Sequence, residues 1–286
     1  MKIFKIVVLT LLIVPLSVFS QDKEKEKKKE KPARPAFECT MLIDNQTNVV
    51  FDKNTLEIQM SHRFGEFDTE NSLGGIWGSG NIRIGFAYSI HDRIAVGFGT
   101  TKNKRYQDFN LKASLFKQTR SNSMPVSVTY YGNWAIDARK KDLGLFTNVQ
   151  DRYSFFNQII VAKRFNSKLS LQVAPSISHY NKVKKGMKND MLSVALGGRY
   201  KISPQTSIMC DYSQPLTSFD KGFDPPAGVS LGVEFATSSH AFQIFVTNLW
   251  GLLPQENYMF NNKGNGLNGT SGQYLLGFHI TRNYNF

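Results

Sequence analysis

The residues best able to do chemistry in this 286-residue chain are five histidines and two cysteines, and their spacing fits no metal or nucleophile pattern. His62, His91, His179, His240 and His279 lie far apart, without the short intervals that put two imidazoles on one metal ion. Cys39 and Cys210 form no paired motif, and strand parity turns Cys210 outward, which argues against a disulfide between them. Serine catalysis needs a Ser, a His and an orienting polar group within hydrogen-bond reach. His62 and His179 end strands that fall on opposite sides of the expected ring, and His279 points inward without an evident nucleophile beside it. Gly264-Asn265-Gly266 reads as a flexible loop, not a phosphate cradle. No enzyme and no cofactor is expected, and His62 and His179 are read as belonging to the polar boundary of a membrane belt.

Charged residues offer a second kind of chemistry, because their faces are ordered. About twelve segments between Leu56 and Phe286 alternate large apolar with small or polar side chains, the period-2 signature of a strand with two unlike faces. Leu56, Ile58, Met60, His62 and Phe64 share one face of the first, opposite Glu57, Gln59, Ser61 and Arg63. Ile82, Ile84, Phe86, Tyr88 and Ile90 oppose Arg83, Gly85, Ala87 and Ser89 in the second. Across all twelve, the polar face collects Glu57, Arg63, Arg83, Asp108, Lys112, Arg152, Arg164, Arg199, Asp211 and Glu234, with many Gly, Ala, Ser and Gln. A charge in mid-strand on a lipid-facing side costs about 2–4 kcal/mol, so the apolar face belongs outside and the charges line a lumen.

The connections choose between a barrel and a two-sheet sandwich. Short turns follow the even strands, at His91-Asp92, Lys117 to Met124, Asn166 to Lys168, Ser203 to Gln205 and Thr237 to Ser239. Longer polar or Gly-rich stretches follow the odd ones, the longest from about Leu249 to Gly272. Such alternation is expected of an all-β, single antiparallel up-and-down transmembrane barrel of about twelve strands, with short periplasmic turns and longer extracellular loops. With 41% hydrophobic and 20% charged residues and no long apolar window, the chain excludes a helical membrane bundle. Only a closed barrel then satisfies every backbone group in lipid.

Both ends agree with an envelope location. Residues 1–20 read as a secretory signal peptide, 21–36 as a charged disordered periplasmic tether, 37–53 as a plug or periplasmic segment, and 54–286 as the barrel. The last strand carries Phe278, Ile280, Tyr284 and a terminal Phe286 on one face. This resembles the signal by which outer-membrane barrels are recognised for insertion, and it implies the barrel-assembly machinery as a partner and periplasmic N- and C-termini. The net charge of +13 is spread over tether, lumen and loops, so nucleic-acid binding is not indicated.

The blocks Leu42-Ile43-Asp44-Asn45-Gln46-Thr47, His62-Arg63-Phe64-Gly65, Asn81-Ile82-Arg83-Ile84-Gly85, Gly97-Phe98-Gly99-Thr100-Thr101-Lys102 and Met124-Pro125-Val126-Ser127-Val128 resemble a family of bacterial outer-membrane β-barrels classed as a domain of unknown function. The resemblance implies fold and compartment and no activity. The expected role is a passive channel or binding barrel for small solutes, with a non-transporting anchor or scaffold for an envelope assembly as the alternative. Inward cations outnumber inward carboxylates, which predicts an anion-preferring passage and a small anionic solute. Two apolar loop segments, Leu73, Ile76 and Trp77 in the first and Leu249, Trp250, Leu252 and Leu253 in the last, are expected to fold inward and gate or plug the mouth, to rest on the membrane interface, or to form a patch for a partner or ligand. As a gate, the two loops would emerge at one seam and bury each other.

Overall fold

The computed structural model describes residues 30–66, 73, 75–140, 143–220, 222–261 and 274–286. The signal-peptide reading, most of the tether and the loop glycines Gly74, Gly264, Gly266 and Gly269 lie outside the described residues. Two short strands come first, β1 (Met41–Leu42) and β2 (Asn45–Gln46), paired as a hairpin. Six more strands make the first half of the wall: β3 (Thr55–Glu66), β4 (Asn81–His91), β5 (Ile94–Thr101), β6 (Gln107–Phe116), β7 (Ser127–Ile136) and β8 (Tyr153–Arg164). The second half is β9 (Leu169–Tyr180), β10 (Asp190–Lys201), β11 (Thr206–Pro215), β12 (Gly228–Ala236), β13 (His240–Thr247) and β14 (Leu275–Asn285). One helix, α1 (Pro254–Phe260), lies in the last loop.

Each wall strand pairs antiparallel with its sequence neighbour, and β14 returns to pair with β3 from Leu275↔Glu66 to Asn285↔Thr55. The twelve strands therefore form a closed barrel. Closure removes the two free edges that an open sheet would leave unpaired in lipid. Along the strands the parity inverts that of a soluble protein. Ile84, Phe86, Leu111, Leu171, Leu196 and Leu231 are exposed, while Arg63, Asp108 and Glu234 on the other face are buried. Short polar side chains set the tight turns: Asn166 Oδ1 accepts from the Lys168 and Leu169 amides, and Ser203 Oγ accepts from the Thr206 amide.

A fully hydrogen-bonded ring unfolds slowly in detergent. Unboiled protein is expected to migrate apart from boiled protein on a denaturing gel. Identical migration of the two, with a circular-dichroism spectrum lacking strand signal, would refute the closed ring.

Candidate functional site

The lumen is filled from both rims. From the rim where β3 begins and β14 ends, the segment Pro32–Asp52 runs inside the barrel and returns. Its first limb is pinned by a bridge between Pro32 and Thr119, by Ala33 N donating to Gln118 O at 2.7 Å and by Arg164 donating to Pro35 O at 3.1 Å. Phe37, Leu42, Ile43 and Val49 pack with Ala162, Met209 and Phe245 of the wall. At Gly197 the wall comes so close to the hairpin that an added Cβ would lie 2.6 Å from Leu42 Cδ2, so glycine there is what admits the segment.

The turn of the hairpin is its most heavily bonded part. Ile43 has φ of 53°, a left-handed conformation that a β-branched residue rarely adopts. Such strain persists only where the surroundings over-determine it. Here Asp211 accepts from the Asp44 and Asn45 amides, each at 3.0 Å, and from Asn45 Nδ2 at 2.7 Å. Gln243 Oε1 accepts from the Ile43 amide, and Asp44 pairs with buried Arg63 while accepting from Ser230 and Thr247. The limbs are tied the same way: Lys112 Nζ donates to Thr40 O at 2.9 Å, Gln172 to Gln46 O at 2.9 Å and Thr129 to Asn48 O at 3.1 Å. Thr40 Oγ1 donates to Glu57.

α1 closes the lumen from the opposite rim. Pro254 at its first turn and Glu256 behind it are ordinary helix-start residues. The helix packs on β8 to β11, with Tyr258 stacked on Phe156 at 5.8 Å and Met259 buried. Tyr258 donates its hydroxyl to Asn45 Oδ1 at 2.9 Å, so helix and hairpin meet. Gln255 donates to Asn133 at 2.8 Å, and Lys104 pairs with Glu256 at 3.0 Å.

The charges expected on the lumen face are met largely by one another and by the N-terminal segment. Arg83 makes a two-point pair with Asp108 at 2.9 and 2.7 Å, Arg199 donates to Glu234 at 2.7 Å and also faces Glu38 at 3.5 Å, and Arg63 is neutralised by Asp44. Asp44 and Glu38 lie on the hairpin, so a count restricted to wall strands could not include them. Glu57, Lys112 and Asp211 are buried against the hairpin, whereas Arg152 and Arg164 lie at opposite rims. Arg63, Arg83 and Arg199 are thus each paired with a carboxylate, and for Arg63 and Arg199 the partners include Asp44 and Glu38 of the N-terminal segment.

The mutual lid of two loops is corrected. Leu249, Leu252 and Leu253 turn inward and are buried, with Leu249 O and Trp250 O accepting from Arg63 and Asn81. Leu73, Ile76 and Trp77 stay exposed, Trp77 at 73%. Among the described residues, then, the apolar segment of the last loop enters the lumen and that of the first does not.

His279 does have a hydroxyl neighbour that strand parity missed, since only closure of β14 on β3 brings Ser61 Oγ to 2.8 Å from its Nδ1. Its Nε2 faces the Arg63 guanidinium at 3.2 Å, and Arg can only donate, so Nδ1 carries the proton and cannot accept the serine's. His62 stacks on Phe278 at 5.2 Å on the lipid face, and His179 bonds Asp190 and Asn181. Cys39 and Cys210 are free, the first buried in the hairpin and the second exposed to lipid. Of the terminal residues, Phe278, Ile280 and Tyr284 share the outward face, Arg282 lays its guanidinium 4.7 Å over the Tyr284 ring, and Phe286 is exposed at the rim.

Among solved structures, the chain is similar to the KdgM porin at 8% identity over 80% of this chain and 98% of that one, with a TM-score of 0.46. It is also similar to an outer-membrane channel from Pseudomonas putida F1 at 10% identity, covering 82% and 97% of the two chains, with a TM-score of 0.42. Salmonella typhi OmpF in complex with daunomycin is similar at 9% identity over 80% and 97%, with a TM-score of 0.40. No curated protein matches. The twelve-strand ring with its apolar outside agrees with the match of residues 37–284 to a single family model, and the chain belongs to that family, the membrane bound beta barrel domain (DUF5777).

Proposed function

We propose that this is a non-enzymatic outer-membrane channel for small polar solutes, held shut at rest by its own N-terminal hairpin and α1. The observation that carries the reading is the chemistry of the wall behind the hairpin. Gln158, Ser178, Ser193 and Ser207 are buried on the lumen face, and among the described residues their side chains have no protein partner. Leaving one such group dry costs about 1–3 kcal/mol, which a permanently filled anchor would avoid with apolar packing. A passage lined for water tolerates it. The hairpin, moreover, is held largely by side-chain hydrogen bonds, which water replaces when it leaves.

In this reading the rim where β3 begins and β14 ends faces the periplasm, the other faces outward, and β14 presents the insertion signal to the assembly machinery. A cavity of about 400 Å3 between the two limbs at the terminal rim gives the hairpin room to move. The non-transporting anchor is the second reading, favoured by the contact of Tyr258 with Asn45 that seals hairpin to helix.

Planar-bilayer recording separates the two. The intact refolded protein is expected to show a closed baseline, and protein refolded from Asn54 onward with residues 254–260 also deleted is expected to show steady conductance steps. Folding of the shortened barrel is checked by its gel shift. A folded, shortened barrel that stays silent would favour the anchor.

A further inference from the structure

We infer that the outward face of β7 to β9 is the interface of a homodimer, in which a second copy of this chain meets it across a two-fold axis at Asn157. Between Tyr153 and Lys163 the outward residues of β8 are Phe155, Asn157, Ile159 and Val161, so an exposed carboxamide interrupts an otherwise apolar face. Asn157 stands four residues from Tyr153 and six from Lys163, which at the usual rise and tilt of a membrane strand places it about 10 Å inside the belt from the α1 rim. Its Oδ1 accepts from the Tyr130 hydroxyl at 2.6 Å, and among the described residues its Nδ2 has no partner. The tyrosine lies over Gly132, where an added Cβ would stand 2.7 Å from its hydroxyl oxygen. It uses one lone pair of Oδ1 and leaves both amide N–H groups unmet. A similar pair at the α1 rim is complete: Tyr212 donates to Gln214 Oε1 at 2.5 Å, and Gln214 Nε2 donates to Pro215 O at 2.8 Å.

The wall beside Asn157 leaves a second group open. β8 and β9 pair at every position from Ser154↔Tyr180 to Arg164↔Ser170 except those opposite Pro175 and Ala174. Pro175 has no N–H, so the carbonyl of Ile159, the next outward residue of β8 after Asn157, receives no donor from β9. Hydrocarbon supplies neither donor nor acceptor, and the carbonyls of lipid belong to the headgroup region outside it. A second copy inserted in the same sense carries its own Asn157 at the same depth. A two-fold axis along the membrane normal then faces each amide with the other, Nδ2 of one copy donating to the remaining lone pair of Oδ1 on the other, and the reverse. An unrelated partner would need a donor and an acceptor at that depth by coincidence, so the occupant is a second copy.

The test is sedimentation equilibrium of the refolded protein in density-matched neutral detergent, with folding checked by the gel shift. The parent is expected to associate to a dimer, and Asn157→Leu to dimerise about tenfold more weakly while folding as the parent does, because the bonds it loses run between copies. Asn157→Ala, too short to reach across the axis, is expected to follow it. Tyr130→Phe removes the internal bond and keeps the amide, so it is expected to stay dimeric, as is Gln214→Leu, whose amide is already engaged. A parent that stays monomeric overturns the interface and leaves the amide to water or to another envelope protein. Dimerisation of Asn157→Leu at the parent's strength, an equal loss in Tyr130→Phe or Gln214→Leu, or a trimer in place of the dimer would also overturn it. Self-association is measured without conduction, so such a failure leaves the channel reading standing.

Discussion

Asp44→Ala is expected to unseat the hairpin. It leaves the Arg63 guanidinium in a closed lumen without its carboxylate, and breaking a buried pair from one side costs about 3–5 kcal/mol. The loss falls on the hairpin and not on the wall, because the ring's own ladder is untouched by the change. Cys39 is a native reporter: it is buried in the first limb, where burial and the Glu234 carboxylate raise its thiol pKa and slow its reaction further. In a Cys210→Ser background, maleimide labelling of Cys39 should therefore be slow in the parent and fast in Asp44→Ala, and conductance should rise with it. Asp44→Ala/Arg63→Ala is expected to recover part of the loss, since removing both partners leaves no stranded charge. Unchanged labelling in Asp44→Ala would show that the hairpin is held by its apolar limb contacts instead.

Charge placed on the wall should act in opposite ways on its two faces. Ile84→Arg and Leu111→Arg point into lipid and are expected to cost about 2–4 kcal/mol each, lowering the urea midpoint for folding into vesicles or preventing the gel shift. Ala87→Arg, on the other face, should still assemble. It does not leave the lumen undisturbed, however: Ala87 borders a cavity of only about 20 Å3 shared with Thr40, Arg83 and Lys112. A guanidinium there displaces the first limb, so the assembled Ala87→Arg barrel is expected to label faster at Cys39. Equal folding of all three variants would mean that the two faces do not differ in their surroundings, as in an open ring.

The wall was legible because its signal is local. Whether Leu111 or Lys112 faces lipid depends on alternation within one strand, and the short turns at Asn166 and Ser203 mark where that strand must reverse. Twelve such segments with alternating connections then leave a closed barrel as the arrangement without edges. The charged residues of the polar face were legible for the same reason. Their partners were not: Asp44, Asn45, Thr40 and Glu38 sit in a segment without period, and nothing in their spacing says that Asp44 meets Arg63 or that Asn45 meets Asp211. The pair Asp44-Asn45 does stand inside the block that carries the family resemblance, and Pro254 with Glu256 does mark a helix start; neither shows that the segment turns inward.

Sequence alone therefore determined which side of each strand meets lipid, because that side is set by the period of the backbone and the cost of charge in hydrocarbon. Tertiary structure alone decided that the lumen holds the N-terminal hairpin and the loop helix. A hairpin at one end of the chain and a loop helix near the other are brought together at Asn45 and Tyr258 only when β14 closes on β3 and encloses them. Buried polar contacts of that kind depend on distances across the barrel, which no local pattern of residues encodes.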